Sequence, residues 1–125
     1  MNIIISNASK EPIYEQIKKQ IKHSIFKGDL QEGDTLPSIR ALAKDLHISV
    51  ITTKRAYEDL EREGFITSVV GKGSFVAGQN SDFIREKRLT WIEEKLAEVV
   101  LESKTLDISL EELKEMLELL YREDQ

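Results

Sequence analysis

The 125-residue chain has no cysteine, which excludes a disulfide frame, a thiolate zinc site and thiol chemistry. Histidine is nearly as scarce. His23 and His47 stand far apart without metal-ligand spacing, so neither a metal nor a cofactor is expected. Long apolar runs are also missing. The N-terminal stretch MNIIISNASKEP holds three consecutive isoleucines, which makes neither a signal peptide nor a membrane span. The expectation is a cytoplasmic protein with no membrane partner. No phosphate-cradling loop is present either: Gly71-Lys72 is followed by Gly73, and Gly64 lies at the wrong distance upstream. No Ser-His-Asp spacing stands out, and the carboxylates fall on solvent faces of helical patterns, so an enzyme is not expected.

Excess positive charge is lacking as well. The chain carries a net charge of -5, but the acidity is local. Residues 1–78 hold 11 Lys/Arg and 10 Asp/Glu, whereas residues 79–125 hold 7 and 13. Within 36–55, Arg40, Lys44, Lys54 and Arg55 face only Asp45. A local field governs docking on phosphates more than total charge does.

What is present is punctuation and periodicity. NIIIS, residues 2–6, predicts a short edge strand. Pro12 opens a helix in which Ile13, Ile17, Ile21 and Ile25 recur every four residues. Lys18, Lys19 and Lys22 fall off that stripe and read as a solvated face, with Glu15 placed to pair with Lys19. Gly28 ends the helix. GDLQEGDTLP reads as a turn-rich connector. Ser38 caps a second, short helix carrying Ile39, Leu42, Ala43 and Leu46, and His47 occupies the turn position that favours a left-handed backbone. Ser49 caps a third helix with Ala56, Tyr57 and Leu60 inward, ended by Gly64. FITSVV and SFVA then flank Gly71-Lys72-Gly73 as a hairpin.

The texture changes after Gly78. GQNSD reads as a boundary, with Ser81 a candidate cap. A long helix over roughly 82–104 spaces Leu89, Ile92, Leu96 and Val99 by 3, 4 and 3. A second helix starts at the capping box Ser109-Leu110-Glu111-Glu112 and repeats that spacing at Leu110, Leu113, Leu117 and Leu120. Each stripe is too wide to leave in water, and a second copy of the chain would complete a four-helix core. The expected organisation is one compact domain over 1–78 and a helical dimerisation tail over 79–125.

Helix, short helix, sharp turn, helix and hairpin is the order of a winged helix-turn-helix: a mainly α fold with a small β-hairpin, followed here by a two-helix dimerisation segment. The second helix of such a pair enters the major groove of double-stranded DNA with its N-terminal residues at the base edges. That places Ser49, Val50, Ile51, Thr52 and Lys54 near DNA. Val50 or Thr53 would offer methyls to thymine, and Lys54 would reach phosphate or guanine. Ser38 and Arg40 stand at the start of the preceding helix, where backbone N–H groups favour phosphate and Arg40 would clamp the backbone or a guanine. Lys72, between Gly71 and Gly73, would reach the adjacent minor groove or its phosphates. Arg55 is expected to point away from the groove or pair with Asp59. Tyr57 and Trp91 are expected to pack.

Over residues 12–76 the chain resembles the DNA-binding domain of GntR-type bacterial transcription regulators. The matching pieces are PIYEQI, GDLQEGDTLPSIR, LEREGFI and GKGSFV. The resemblance carries DNA contact onto Arg40, Ser49, Thr52, Lys54, Gly71 and Lys72. The short helical tail is similar to that of the YtrA-type subfamily, which implies a homodimeric repressor on a palindromic operator. The alternative is a protein-interaction adaptor that uses the winged fold and the acidic tail without DNA. No motif specifies a small-molecule effector.

Overall fold

A computed structural model describes residues 1–78 and 81–123. The described elements run α1 (Ile13–Lys27), α2 (Ile39–Leu46), α3 (Val50–Arg62), β1 (Ile66–Val69), β2 (Gly73–Val76), α4 (Ser81–Thr105) and α5 (Leu110–Glu123). The chain divides into two compact units, residues 1–84 and 85–125.

In the first unit α3 packs against α1, α2 and β1. The isoleucine stripe of α1 supplies Ile17, Ile21 and Ile25 to the core. They meet Leu42 and Ala43 of α2, Ala56, Tyr57 and Leu60 of α3, and Phe65, Ile66 and Val76 around the hairpin. The rings of Phe26 and Phe65 meet edge to face at 5.8 Å, and Phe83 meets Phe65 at 6.2 Å. Such geometry suits the aromatic quadrupole.

Helix ends follow the local signals. Gly28 caps α1 at φ 86°. At the end of α2, His47 takes φ 56°, its N–H donates to the Lys44 carbonyl, and the Ile48 N–H donates to Ala43. This is a Schellman closure. Gly64 and Asp107 close α3 and α4 in the same manner. Asp107, like His47, is a non-glycine residue with positive φ.

β1 and β2 pair antiparallel, Ile66 opposite Val76 and Val69 opposite Gly73. The connector expected to be only turns contributes more. Thr35 bridges Phe75 of β2, the Leu36 N–H donates to the Ser74 carbonyl, and the Val76 N–H donates to Asp34. The free edge of the hairpin is thereby covered.

Residues 2–6 form no strand. Two glutamines of α1 take the place of a neighbouring strand. Gln20 accepts from the Ile4 N–H and donates to the Ile4 carbonyl, and Gln16 does both for Ser6. An amide side chain carries one donor and one acceptor group, as a peptide does. The segment is therefore pinned to a helix, with Ile3 buried beneath it.

In the second unit, α4 and α5 are joined by a short turn in which the Ser109 hydroxyl accepts from the Glu112 N–H at 3.1 Å, the forward half of the expected capping box. No residue of α5 is buried. Gln79 and Asn80 of the expected boundary lie outside the described residues.

Candidate nucleic-acid interface

Two serines position the site. The Ser38 Oγ accepts from the Ala41 N–H, and the Ser49 Oγ accepts from the Thr52 N–H, each at 3.0 Å. Each caps one helix of the helix-turn-helix pair. The start of α2 is further fixed from below. Tyr57 is buried and its hydroxyl donates to the Pro37 carbonyl at 2.8 Å. Burial pushes the Tyr57 hydroxyl up to about 12, so it remains a donor at neutral pH.

On α2, Arg40 and Lys44 are exposed. Among the described residues neither has a carboxylate partner. On α3 the expected contact residues divide into groups. Val50, Ile51 and Lys54 are exposed, Ile51 at 81%. At 3.6 residues per turn they occupy roughly 100° of arc, with Lys54 between the two apolar residues. Lys54 reaches Glu58 at 3.7 Å, both side chains well exposed, a pair of little strength in water. Thr52 is half-buried and receives the Ser49 hydroxyl proton at 2.8 Å.

Thr53 is a correction. It is 0% exposed, and its hydroxyl donates to the Ser49 carbonyl at 3.1 Å. It lies in the first turn between half-buried Thr52 and exposed Lys54, on the core side, and has no access to a base.

The hairpin tip, Val70-Gly71-Lys72, projects beyond the last paired residues. Gly71 and Gly73 hold φ 79° and 107°, and a Cβ on either would meet no atom within 4 Å. Conformation, rather than space, demands glycine there. Val70 and Lys72 are exposed, and Lys72 has no carboxylate partner among the described residues. The hairpin is tied to α3 by the Ser68 N–H, which donates to Glu61 at 2.6 Å.

The three α1 lysines expected on a solvated face, and Arg55, are engaged within the fold. Lys18 is 9% exposed and pairs with Glu63 at 2.9 Å, Asp59 at 3.3 Å and Glu15 at 3.5 Å. Lys22 pairs with Glu63 at 2.6 Å and lies over the Phe65 ring. The α1 lysines are thus not one solvated face: Lys18 is interior, and Lys19 pairs with Glu11. Arg55 stacks on the Tyr14 ring at 3.8 Å and donates to its hydroxyl at 3.1 Å. Asp59, its expected partner, is held by Lys18 and Arg62. Burial alone would raise the Asp59 and Glu63 carboxyls, but the hydrogen bonds and charges of Arg62 and Lys18, and of Lys22 and Lys18, hold both below the usual range. Lys18 shows the mirror image: burial pulls it down, and the surrounding carboxylates carry it above its ordinary value. This network joins α1 to α3. Its signal in sequence was the i,i+4 spacing of Lys18 with Lys22 and of Asp59 with Glu63, which puts two like-charged pairs on facing helix surfaces.

Among the described residues, no group of His, Cys, Asp and Glu could hold a metal ion, and no helix is long and apolar enough to cross a membrane.

Residues 13–76 match the model of bacterial regulatory proteins of the gntR family. The chain belongs to the GntR family. It is 36% identical over 115 residues to the HTH-type transcriptional repressor YtrA of Bacillus subtilis (strain 168), covering 92% of this chain and 88% of that one. A GntR family transcriptional regulator from Listeria monocytogenes superposes with a TM-score of 0.74 at 30% identity, covering 91% of this chain and 97% of that one. The DNA-binding domain of AraR, solved in complex with operator ORE1, superposes with a TM-score of 0.52 at 28% identity, over 62% of this chain and 94% of that one. As a GntR protein the chain is a DNA-binding transcriptional regulator of winged helix-turn-helix fold, not a catalyst.

Proposed function

We propose that this GntR protein is a cytoplasmic, homodimeric repressor that binds a palindromic operator, with residues 49–63 in the major groove and the wing, 71–73, at the minor groove. Residues 1–78 are its DNA-binding domain and 79–125 its dimerisation tail. The observation that carries the reading is the set of exposed cations that have no carboxylate partner among the described residues, Arg40, Lys44 and Lys72, on capped and tied elements of an otherwise acidic chain. A cation that holds no ion pair of its own has none to give up when it meets phosphate, and the new hydrogen bond is charge-assisted. Ser49, Thr52 and Lys54 contribute from α3, Ser38 from α2, and Gly71 and Gly73 shape the wing. Val50 stands beside Lys54 at the base edges. Leu89, Ile92, Leu96 and Val99 of α4, with Leu113, Leu117 and Leu120 of α5, form the tail surface that a second copy covers, and two-fold symmetry then sets half-sites about one helical turn apart.

Selection of bound duplexes from a random pool tests this directly. The expected product is a palindrome whose affinity falls steeply with salt, by about 0.9 log units per log unit of salt for each neutralised phosphate. Absence of any enriched duplex at low salt would favour the adaptor alternative.

A further inference from the structure

Ile51 is the most exposed large apolar side chain of α3, at 81%, against 45% for Val50. It stands in the first turn of the helix, roughly 60° around the axis from Lys54, and shares the exposed side with it. An isoleucine in that position contributes nothing to the core and leaves its butyl side chain in water. Its neighbours identify what covers it. Lys54 lies beside it, and Arg40, Lys44 and Lys72, on the elements that flank the helix, have no carboxylate partner among the described residues. A covering surface that satisfies those cations is a polyanion, and the side of a duplex that admits a helix is the major groove. There the only aliphatic group on any base edge is the thymine C5-methyl.

We infer that Ile51 is a specificity-determining residue that packs against a thymine methyl in each half-site. The inference rests on the docking proposed above. A side chain with neither donor nor acceptor gains nothing from the guanine, cytosine or adenine edges, whose major-groove signals are hydrogen-bonding groups. Discrimination at this position therefore comes from one methyl group rather than from a bidentate hydrogen bond. Its size is that of a single buried methyl, about three- to fivefold in affinity.

The test uses the full chain and the duplex it selects from a random pool. Each thymine of a half-site is replaced singly by deoxyuridine, which preserves pairing and deletes only the C5-methyl. The expected result is one position at which replacement weakens binding about three- to fivefold. The variant Ile51→Ala is expected to bind the thymine and deoxyuridine duplexes equally, while Ile51→Val retains part of the difference. Ile51 is exposed, so both variants keep the fold, which circular dichroism checks. If no deoxyuridine replacement weakens binding, or if Ile51→Ala keeps the full penalty, the inference is overturned. Lys54→Ala separates the two levels. If it loses affinity while deoxyuridine has no effect, the docking stands and only the methyl contact fails. If Lys54→Ala binds as tightly as the parent, or no duplex is enriched, both fail.

Discussion

The two units of this chain treat the same apolar pattern in opposite ways. In α1 the residues Ile17, Ile21 and Ile25 sit one helical turn apart and are buried, because α3 and the hairpin close over them. In α4 and α5 the 3-4-3 spacing is equally regular, yet Leu96 is 47% exposed and Leu117 53%. α4 and α5 carry enough apolar surface for a core but lack the elements to enclose it. Periodicity reveals which side of a helix wants cover. It does not reveal whether the cover lies in the same molecule. On the proposed reading, the first unit encloses its own core and the second waits for a second copy of the chain.

The largest effect is expected from placing charge on the tail. The double variant Leu96→Asp/Leu117→Asp should be monomeric by sedimentation while its first unit keeps its thermal transition. Operator affinity should fall about 100-fold or more, because the second half-site contact loses its effective concentration. If the variant stays dimeric, or if its first unit melts with the tail, the division of labour is wrong.

Next come the cations of the interface. Arg40→Ala and Lys54→Ala should each weaken operator binding by about 1–3 kcal/mol, with the melting temperature unchanged because both side chains are exposed. Lys72→Ala should reduce the salt slope by about one phosphate. Thr53 supplies the internal control. Thr53→Val should leave affinity untouched and cost about 1 kcal/mol of stability, by removing a buried hydroxyl donor from the Ser49 carbonyl.

Thr53 also shows where reading a sequence succeeds and where it stops. Caps, breakers and apolar spacing are local, and they located the helices, the positive φ of His47 and the glycine-shaped hairpin tip. Helix α4 runs Ser81–Thr105 against an expected 82–104. The identity of the inward residues depended on phase. One residue along α3 moves a side chain by roughly 100°, enough to exchange a base-facing threonine for a buried one. Long-range pairings left weaker traces. Arg55 stacks on Tyr14, 41 positions away, and nothing in its local surroundings favoured that ring over the nearer Asp59. The glutamine ladder that holds Ile4 and Ser6 was hidden because β-prone residues look the same whether a strand or a side chain satisfies their peptides.

The ion network between α1 and α3 offers a smaller test, confined to the first unit. Lys18→Met removes a buried ammonium and leaves Glu63 and Asp59 to Lys22 and Arg62. The expected cost is about 2 kcal/mol at neutral pH, below the 3–5 kcal/mol typical of a fully orphaned partner. The acid limb follows from the lowered carboxyls. Their stabilisation is complete above the unfolded values near 4.5 and 3.8 and disappears as pH falls through the folded ones. Denaturant midpoints between pH 5 and pH 2 should therefore decline less steeply in Lys18→Met than in the parent.

The smallest effect concerns Tyr57, which props the start of α2 and hence Arg40. Tyr57→Phe keeps the ring in the core and deletes the donor to the Pro37 carbonyl, at a cost of about 1 kcal/mol. Its signature is alkaline. Burial raises the hydroxyl from 10.0 to about 12, so the folded state holds a proton that the unfolded chain releases. That stabilisation is whole below pH 10 and is lost as pH climbs towards 12. Lys18, also raised, contributes in the same direction and remains in the variant. The parent should thus lose stability between pH 10 and 12 more steeply than Tyr57→Phe, and the double variant Lys18→Met/Tyr57→Phe should be flattest. If the two alkaline slopes coincide, Tyr57 does not hold its proton through the fold, and the support beneath Arg40 is packing alone.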